Sequence, residues 1–295
     1  MLKSIRIVTL TVSNLKVAER AYCDWLGYQP MAGGRISARL AKAWNTPAAE
    51  KSAYSIVHTA SGSDVLLRLI ERPATRGFKA LRTHGWNANE LLVTDPAALE
   101  KRLRDADSPF SVIGATAALD SNPQIVAMQA LGPDDALHYF TKIPPEGGTF
   151  IKQAAATFVD RTFIAVVGGP SMTALRAFYG ERLGMSVTEP FASKVPVLNA
   201  ALGLPAEQQI PLALVPLSPK FVLELDEYPA LTVPRPLREG DLPPGMAMVS
   251  FEVDALDESL PWRSPPVAKN ETPYFGKRAG VIVGPAGEWI ELIEA

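Results

Sequence analysis

Two glutamates stand where a carboxylate is costly to keep. Glu224 lies in Val222-Leu223-Glu224-Leu225, and Glu291 lies between Ile290 and Leu292. Turned inward from apolar strands, they would be like charges in a low-dielectric space, and one would hold its proton above the usual carboxylate range. Such a group can act as a general acid or donate a hydrogen bond to a ligand. The same positions recur earlier in the chain with other residues. Leu67-Arg68-Leu69 faces Leu223-Glu224-Leu225, and Gly132-Pro133 faces Gly284-Pro285, which sets Tyr139 against Glu291. An inward Arg68 and Tyr139 would suit an anionic or phenolic ligand; an Arg68 on an edge strand would extend into solvent instead.

Other reactive side chains offer less. His58, His84 and His138 have no ligand spacing on one element and read as surface or packing residues. His138 adjoins Tyr139, so the two face opposite sides of a strand. Asp24 follows Cys23 and would raise the thiol pKa, which disfavours a nucleophilic role. Gly168-Gly169-Pro170 lacks the lysine and spacing of a phosphate loop and reads as a strand-to-helix turn. Tyr274-Phe275-Gly276-Lys277-Arg278 could gate a cavity or form a mobile surface loop.

These residues must be held by a repeated scaffold. Ile7 to Ser13, running on to Tyr22 and Leu26-Gly27, reappears as Ile164 to Gly168, running on to Tyr179 and Leu183-Gly184. Each stretch predicts a strand and then a helix: β-branched alternation, an N-cap at Ser13-Asn14 or Pro170-Ser171, and a glycine where a left-handed C-cap belongs. Strands are predicted at 54–59 and 65–70, with a further one near 29–37. A restart is predicted at 90–93, with a helix from Pro96 and strands at 125–131 and 137–143. A third unit has strands at 164–167 and 221–225, and a fourth at 248–253, 279–283 and 289–293. The expected architecture is four β-α-β-β-β modules in two pairs. Pro144-Pro145-Glu146-Gly147-Gly148 is the expected linker between domains at 1–145 and 150–295. Five prolines within 229–245 predict a semi-rigid connector that is not buried.

The chain of 295 residues is long enough for two cores. A net charge of −2 leaves no field to attract nucleic acid or an anionic membrane. One cysteine fits a reducing compartment, and no apolar run is long enough to span a bilayer. The charged start lacks the apolar stretch of a signal peptide, so a soluble cytoplasmic protein is expected.

The opening run Val8-Thr9-Leu10-Thr11-Val12-Ser13-Asn14-Leu15, with Tyr22 and Leu26-Gly27, and the closing run Gly284-Pro285-Ala286-Gly287-Glu288-Trp289-Ile290-Glu291-Leu292 resemble the vicinal oxygen chelate superfamily. That group includes glyoxalase I, bleomycin-resistance proteins and type I extradiol dioxygenases, and the four-module layout is most similar to the last. The resemblance implies an α+β fold in which each pair of modules curls into a cupped, incompletely closed mixed β-barrel. It also implies a divalent metal held by His or Glu on the first strand of each module and a carboxylate on the last. The implied first-strand positions are Ile7, Ala88, Ile164 and Met248; the last-strand positions are Arg68, Tyr139, Glu224 and Glu291. The histidines of that pattern are missing. Glu224 and Glu291 alone would favour a weak, magnesium- or calcium-like site retaining several waters.

Three functions follow. The leading one is a protein that binds a small apolar or aromatic molecule in a cup lined by Ile164 and Met248, with no cofactor. The second is a lyase, isomerase or dioxygenase type of enzyme using Glu224 and Glu291 as acid/base groups or weak ligands of a divalent metal. The third is a non-catalytic interaction subunit. A small-molecule partner is expected, with a homodimer as a further option.

Overall fold

A computed structural model describes residues 1–120, 122–144 and 146–295. Pro145 of the expected linker lies outside them. The four modules are present. The first comprises β1 (Leu2–Val12), α1 (Leu15–Arg20), β2 (Gln29–Arg35), α2 (Ala38–Ala43), β3 (Ala53–His58) and β4 (Leu66–Glu71). The second is β5 (Gly85–Val93), α3 (Pro96–Leu103), β6 (Ser111–Leu119), β7 (Asn122–Leu131) and β8 (Leu137–Lys142). The third repeats the first: β9 (Val159–Gly169), α4 (Met172–Arg176), β10 (Phe191–Lys194), α5 (Pro196–Leu202), β11 (Gln209–Ser218) and β12 (Phe221–Glu227). The fourth is β13 (Met246–Val253), β14 (Trp262–Ala268), β15 (Arg278–Val283) and β16 (Trp289–Glu294). Residues 254–261, between β13 and β14, make a turn instead of the expected helix.

The duplication extends to local geometry. Asn14 and Ser171 cap α1 and α4 through their side chains, and both helices widen into π-helical turns at Ala21–Trp25 and Ala177–Arg182. The tyrosines of the repeat, Tyr22 and Tyr179, lie within these turns and are fully buried. Tyr22 Oη lies 2.8 Å from His138 Nε2, and Tyr179 Oη donates to Glu288 Oε1 at 3.0 Å. Gly284 of the closing motif makes room for that glutamate, because a Cβ there would lie 2.0 Å from Glu288 Oε1.

The strands pair in an order that the linear sequence does not suggest. One mixed eight-stranded sheet runs β14-β15-β16-β13-β1-β4-β3-β2, joining the fourth module to the first. The other runs β10-β11-β12-β9-β5-β8-β7-β6, joining the third to the second. β1 meets β13 antiparallel, and β5 meets β9 antiparallel. The division at 145–150 separates the module pairs in sequence, yet each cup takes one module from either side of it. We call the sheet of modules one and four the first cup, and that of modules two and three the second.

Outer sheet faces and helices α1, α3 and α4 share one apolar core that includes Tyr22, Leu99, Tyr179, Phe251 and Ile290. Separate apolar clusters line the cups, around Trp44 and Met248 in the first and around Val166 and Leu198 in the second. The sheets are also tied by polar contacts. Trp86 Nε1 donates to Trp289 O at 2.7 Å. The connector at 229–245 is not merely exposed: its residues 241–245 are buried, and Arg235 reaches between the sheets. Arg235 donates to the carbonyls of His84 (3.0 Å), Pro244 (3.1 Å), Met246 (2.8 Å) and Trp86. No helix among the described residues is long and apolar enough to cross a membrane.

Arg235→Met should lower unfolding stability by roughly 2–4 kcal/mol, because the carbonyls it serves lose a charged donor. Urea denaturation followed by circular dichroism measures this, and an unchanged midpoint would mean the connector is passive.

Candidate functional site

Register identifies the residues that face each other inside the cups. On β1 and β4, Thr9 is paired with Arg68; on β13 and β16, Ser250 is paired with Glu291. In the second cup Glu90 is paired with Tyr139 and Val166 with Glu224. The last-strand residues Arg68, Tyr139, Glu224 and Glu291 thus each lie beside a first-strand residue of their own module. The first-strand positions lie two residues further along, at Thr9, Glu90, Val166 and Ser250 instead of Ile7, Ala88, Ile164 and Met248. A two-residue slip preserves the face and moves the side chain one pleat along the strand. Ile7 and Met248 pack in the apolar cluster of the first cup, and Ala88 and Ile164 in that of the second.

The module pairing also changes which residues meet. Glu291 joins Arg68 in the first cup, and Glu224 joins Tyr139 in the second. Glu224 and Glu291 are in different sheets, so they do not form the acid/base or metal-binding pair expected from the sequence.

In the first cup, Glu291 is completely buried. Lys269 Nζ donates to its Oε1 at 2.5 Å and Trp44 Nε1 to the same oxygen at 2.9 Å. Ser250 Oγ donates to Oε2 at 2.6 Å. Tyr274 Oη shares its proton between the two oxygens at 2.9 and 3.0 Å while accepting from Arg68 Nη1 at 2.7 Å. Arg68 donates to Thr9 Oγ1 through Nε and Nη2 at 3.1 and 2.8 Å, and its Nη2 lies 3.7 Å from Glu291 Oε2. Arg68 is thus buried and inward, not extended to solvent. Aromatic faces complete the enclosure: the Arg68 guanidinium lies 4.5 Å from the Trp44 ring centre, and Lys269 Nζ 4.8 Å from that of Tyr274.

Burial alone would raise the Glu291 pKa, but Lys269 and Arg68 outweigh it and hold the carboxyl at about 2. For Lys269, burial pulls the value down and Glu291 opposes it. The carboxylate accepts only from donors, as an ionised group must.

Sequence patterning offered signals for Thr9, a hydroxyl flanked by Val8 and Leu10, and for Ser250, the one hydroxyl of an apolar strand. Ser37 capping α2 and the spacing of Leu40 and Trp44 similarly marked a helix that inserts an indole. Lys269 carries no such signal, since a lysine in a loop is ordinarily solvated. The segment Tyr274-Phe275-Gly276-Lys277 folds so that Tyr274 is buried in the cluster while Phe275 is 71% exposed.

Outside that cluster lies a cavity of about 430 Å³ lined by Ile7, Leu66, Ile293, Met31, Pro273 and Phe275, with Arg6, Lys277, Asp64 and Glu252 also on its wall; Arg6 lies 3.4 Å from Asp64 and 3.8 Å from Glu252. It forms the mouth of the first cup.

The second cup has the opposite charge balance. Glu90, 8% exposed, accepts from Thr141 Oγ1 at 2.6 Å. Burial raises its pKa to about 7, and burial with the nearby Glu90 raises that of Asp226 to about 8. Burial also raises Glu224 well above the usual range, with Asp226 and Glu90 adding to the effect. Asp226, missed in the sequence, points to the same side of β12 as Glu224. Outside the cups, burial lowers His138 to about 3, and burial followed by Glu19 and Asp24 raises Cys23.

The sequence matches no protein-family model and no curated protein. In fold it is similar to glyoxalase I from Zea mays, at 13% identity and a TM-score of 0.61, covering 98% of this chain and 92% of that one. A Bacillus subtilis protein solved as a proposed dioxygenase aligns at 11% identity and TM-score 0.60, over 99% of this chain and 85% of that one. The chain shares the fold of these glyoxalase- and dioxygenase-like structures.

That fold implies a metal in a cup, and the donors here do not fit one. The converging positions of the first cup present two hydroxyls, a guanidinium and one carboxylate already bonded to Lys269. Among the described residues, no three His, Cys, Asp or Glu side chains gather closely enough to hold a metal ion.

Glu291→Gln should cost about 3–5 kcal/mol, by leaving Lys269 and Arg68 without their counter-charge. Adding Lys269→Met should restore part of that loss. Denaturation midpoints of the two single variants and the double variant measure the coupling; strict additivity would contradict it.

Stability should also fall from pH 6.5 to 8.5. Unfolded carboxyls lose their protons near pH 4, whereas folded Glu90 and Asp226 keep theirs to about 7 and 8, as Glu288 does to about 7. The native state therefore binds more protons across this window, and raising the pH favours unfolding, by roughly 2–4 kcal/mol in all. Glu291 stays ionised throughout, and His138 is neutral in both states for most of the window. Urea midpoints that rise with pH would contradict this assignment.

Proposed function

We propose that the chain binds a small, largely apolar or aromatic molecule at the mouth of its first cup, without a transition metal. The observation that carries this reading is the cavity of about 430 Å³ set against a cluster in which two cations compensate the one carboxylate. Ligand sites are commonly of this size and mainly apolar, with a few polar groups to orient the ligand. Ile7, Leu66 and Ile293 supply a wall on the sheet, and Met31, Pro273 and Phe275 supply one on the loops. Arg6 and Lys277 on its wall are balanced by Asp64 and Glu252, so the rim offers polar groups to orient a ligand without a net charge. Lys269 and Arg68 take up the charge of Glu291, so the floor of the cup needs no ion from outside. The exposed Phe275 gains apolar contact when a ligand lies against it.

A thermal-shift screen against aromatic acids and quinone-like compounds should return hits. Phe275→Ala should weaken them about tenfold, the loss of roughly 1.4 kcal/mol of apolar contact. A flat response across a broad panel would remove this reading and leave the interaction-subunit alternative, which light scattering at several concentrations addresses.

A further inference from the structure

The two cups are copies, and the first shows what compensates a buried carboxylate in this scaffold: cations brought by the chain itself. In the second cup the counterpart of Arg68 is Glu224, that of Ser250 is Glu90, and that of Glu291 is Tyr139. The change at the arginine position replaces a positive charge with a negative one. Asp226 adds a third acid, one pleat beyond Glu224. None of Glu90, Glu224 and Asp226 forms an ion pair among the described residues, and Asp226 Oδ1 is buried with no hydrogen-bond partner at all. Asp226 is only 1% exposed. Arg235 is the nearest cation to Tyr228, but its N–H groups are committed to backbone carbonyls.

The rest of the cup is aromatic and aliphatic. Tyr228 lies against Gly168, where a Cβ would come within 2.5 Å of its ring. Tyr139, Ile164 and Val166 share this face of the sheet, and Val197 and Leu198 of α5 pack into the same cluster. Glu224, Tyr139 and Ile164 keep partial contact with solvent, which gives the interior a way out to water.

We infer that the second cup is a binding site for a small organic cation, an aliphatic amine or diamine, held by Glu90, Glu224 and Asp226 and flanked by Tyr139 and Tyr228. Glu224 and Asp226 are two residues apart on one strand, so their Cα atoms are ~6.6 Å apart. Carboxylates spread along a strand in this way suit ammonium groups joined by a methylene chain better than a compact dication, which needs several oxygens converging on one point. The tyrosine rings add cation–π attraction and apolar contact for the chain. The site is distinct from the mouth of the first cup and does not depend on the reading given to it.

Isothermal titration with 1,4-diaminobutane tests this on the full chain at constant ionic strength. At pH 8.5 Glu90 and Asp226 are ionised while the tyrosines, raised by burial, stay neutral. At pH 6.0 Glu90 and Asp226 are protonated, as the values of about 7 and 8 require. Saturable binding is expected at pH 8.5, at least tenfold weaker at pH 6.0 and at least tenfold weaker in Glu224→Gln and Asp226→Asn. Both variants should remain folded, because Asp226→Asn removes a buried charge and Glu224→Gln keeps the shape of a side chain that burial already drives toward its neutral form, and their melting temperatures at pH 8.5 should be no lower than that of the parent. Aromatic hits at Phe275 should be unaffected by Glu224→Gln. The inference is overturned by the absence of saturable heat at pH 8.5, by equal affinity in the variants, or by magnesium chloride displacing the diamine at comparable concentration.

Discussion

The carboxylate of Glu291 has no water to face, and much of the first cup is arranged to replace that water. An isolated carboxylate at this depth would be prohibitively costly. Here it is met by an ammonium, an indole N–H, a hydroxyl and a phenol, with a guanidinium just behind. The donors come from widely separated elements: Trp44 follows α2, Ser250 is on β13, Lys269 follows β14, and Tyr274 is in the loop before β15. Satisfying one buried charge therefore specifies how four segments pack. A buried pair of this kind is weak evidence for net stability but strong evidence for a unique arrangement, since any displaced member leaves an uncompensated charge.

The same constraint separates the two copies. Both cups place two first-strand and two last-strand residues around a common space. In the first, opposite charges fill that space from within, and α2 with Trp44 closes it. In the second, acids accumulate without a matching cation, and their protons are retained to higher pH instead. Duplication supplied one geometry, and substitution at a few inward positions gave it two electrostatic states. The fold's usual histidines are absent from both.

Much of the scaffold was legible in the residues. The strand–helix repeat at Ile7 and Ile164, the capping residues, and the Gly284 to Leu292 motif depend on local conformational preference and on pleat alternation, which neighbouring residues determine. The last-strand slots Arg68, Tyr139, Glu224 and Glu291 came from aligning one half on the other, but the alignment left Arg68 open between cup and solvent, and its burial against Thr9 and Tyr274 decided it. The first-strand positions were misplaced by one pleat because strand register depends on which strand lies alongside. The helix expected in the fourth module gives way to a short turn carrying Pro261.

By itself the sequence determined the order of the modules and the identity of the last-strand residues Arg68, Tyr139, Glu224 and Glu291, because these follow from local preferences and period-two alternation. Only the tertiary structure decided that the first module pairs with the fourth and the second with the third. That choice sets Glu291 beside Arg68 and Lys269 and leaves Glu224 among acids. The reason is physical: strand pairing is made by backbone hydrogen bonds between segments far apart in the chain, and those bonds carry no mark of the side chains they bring together.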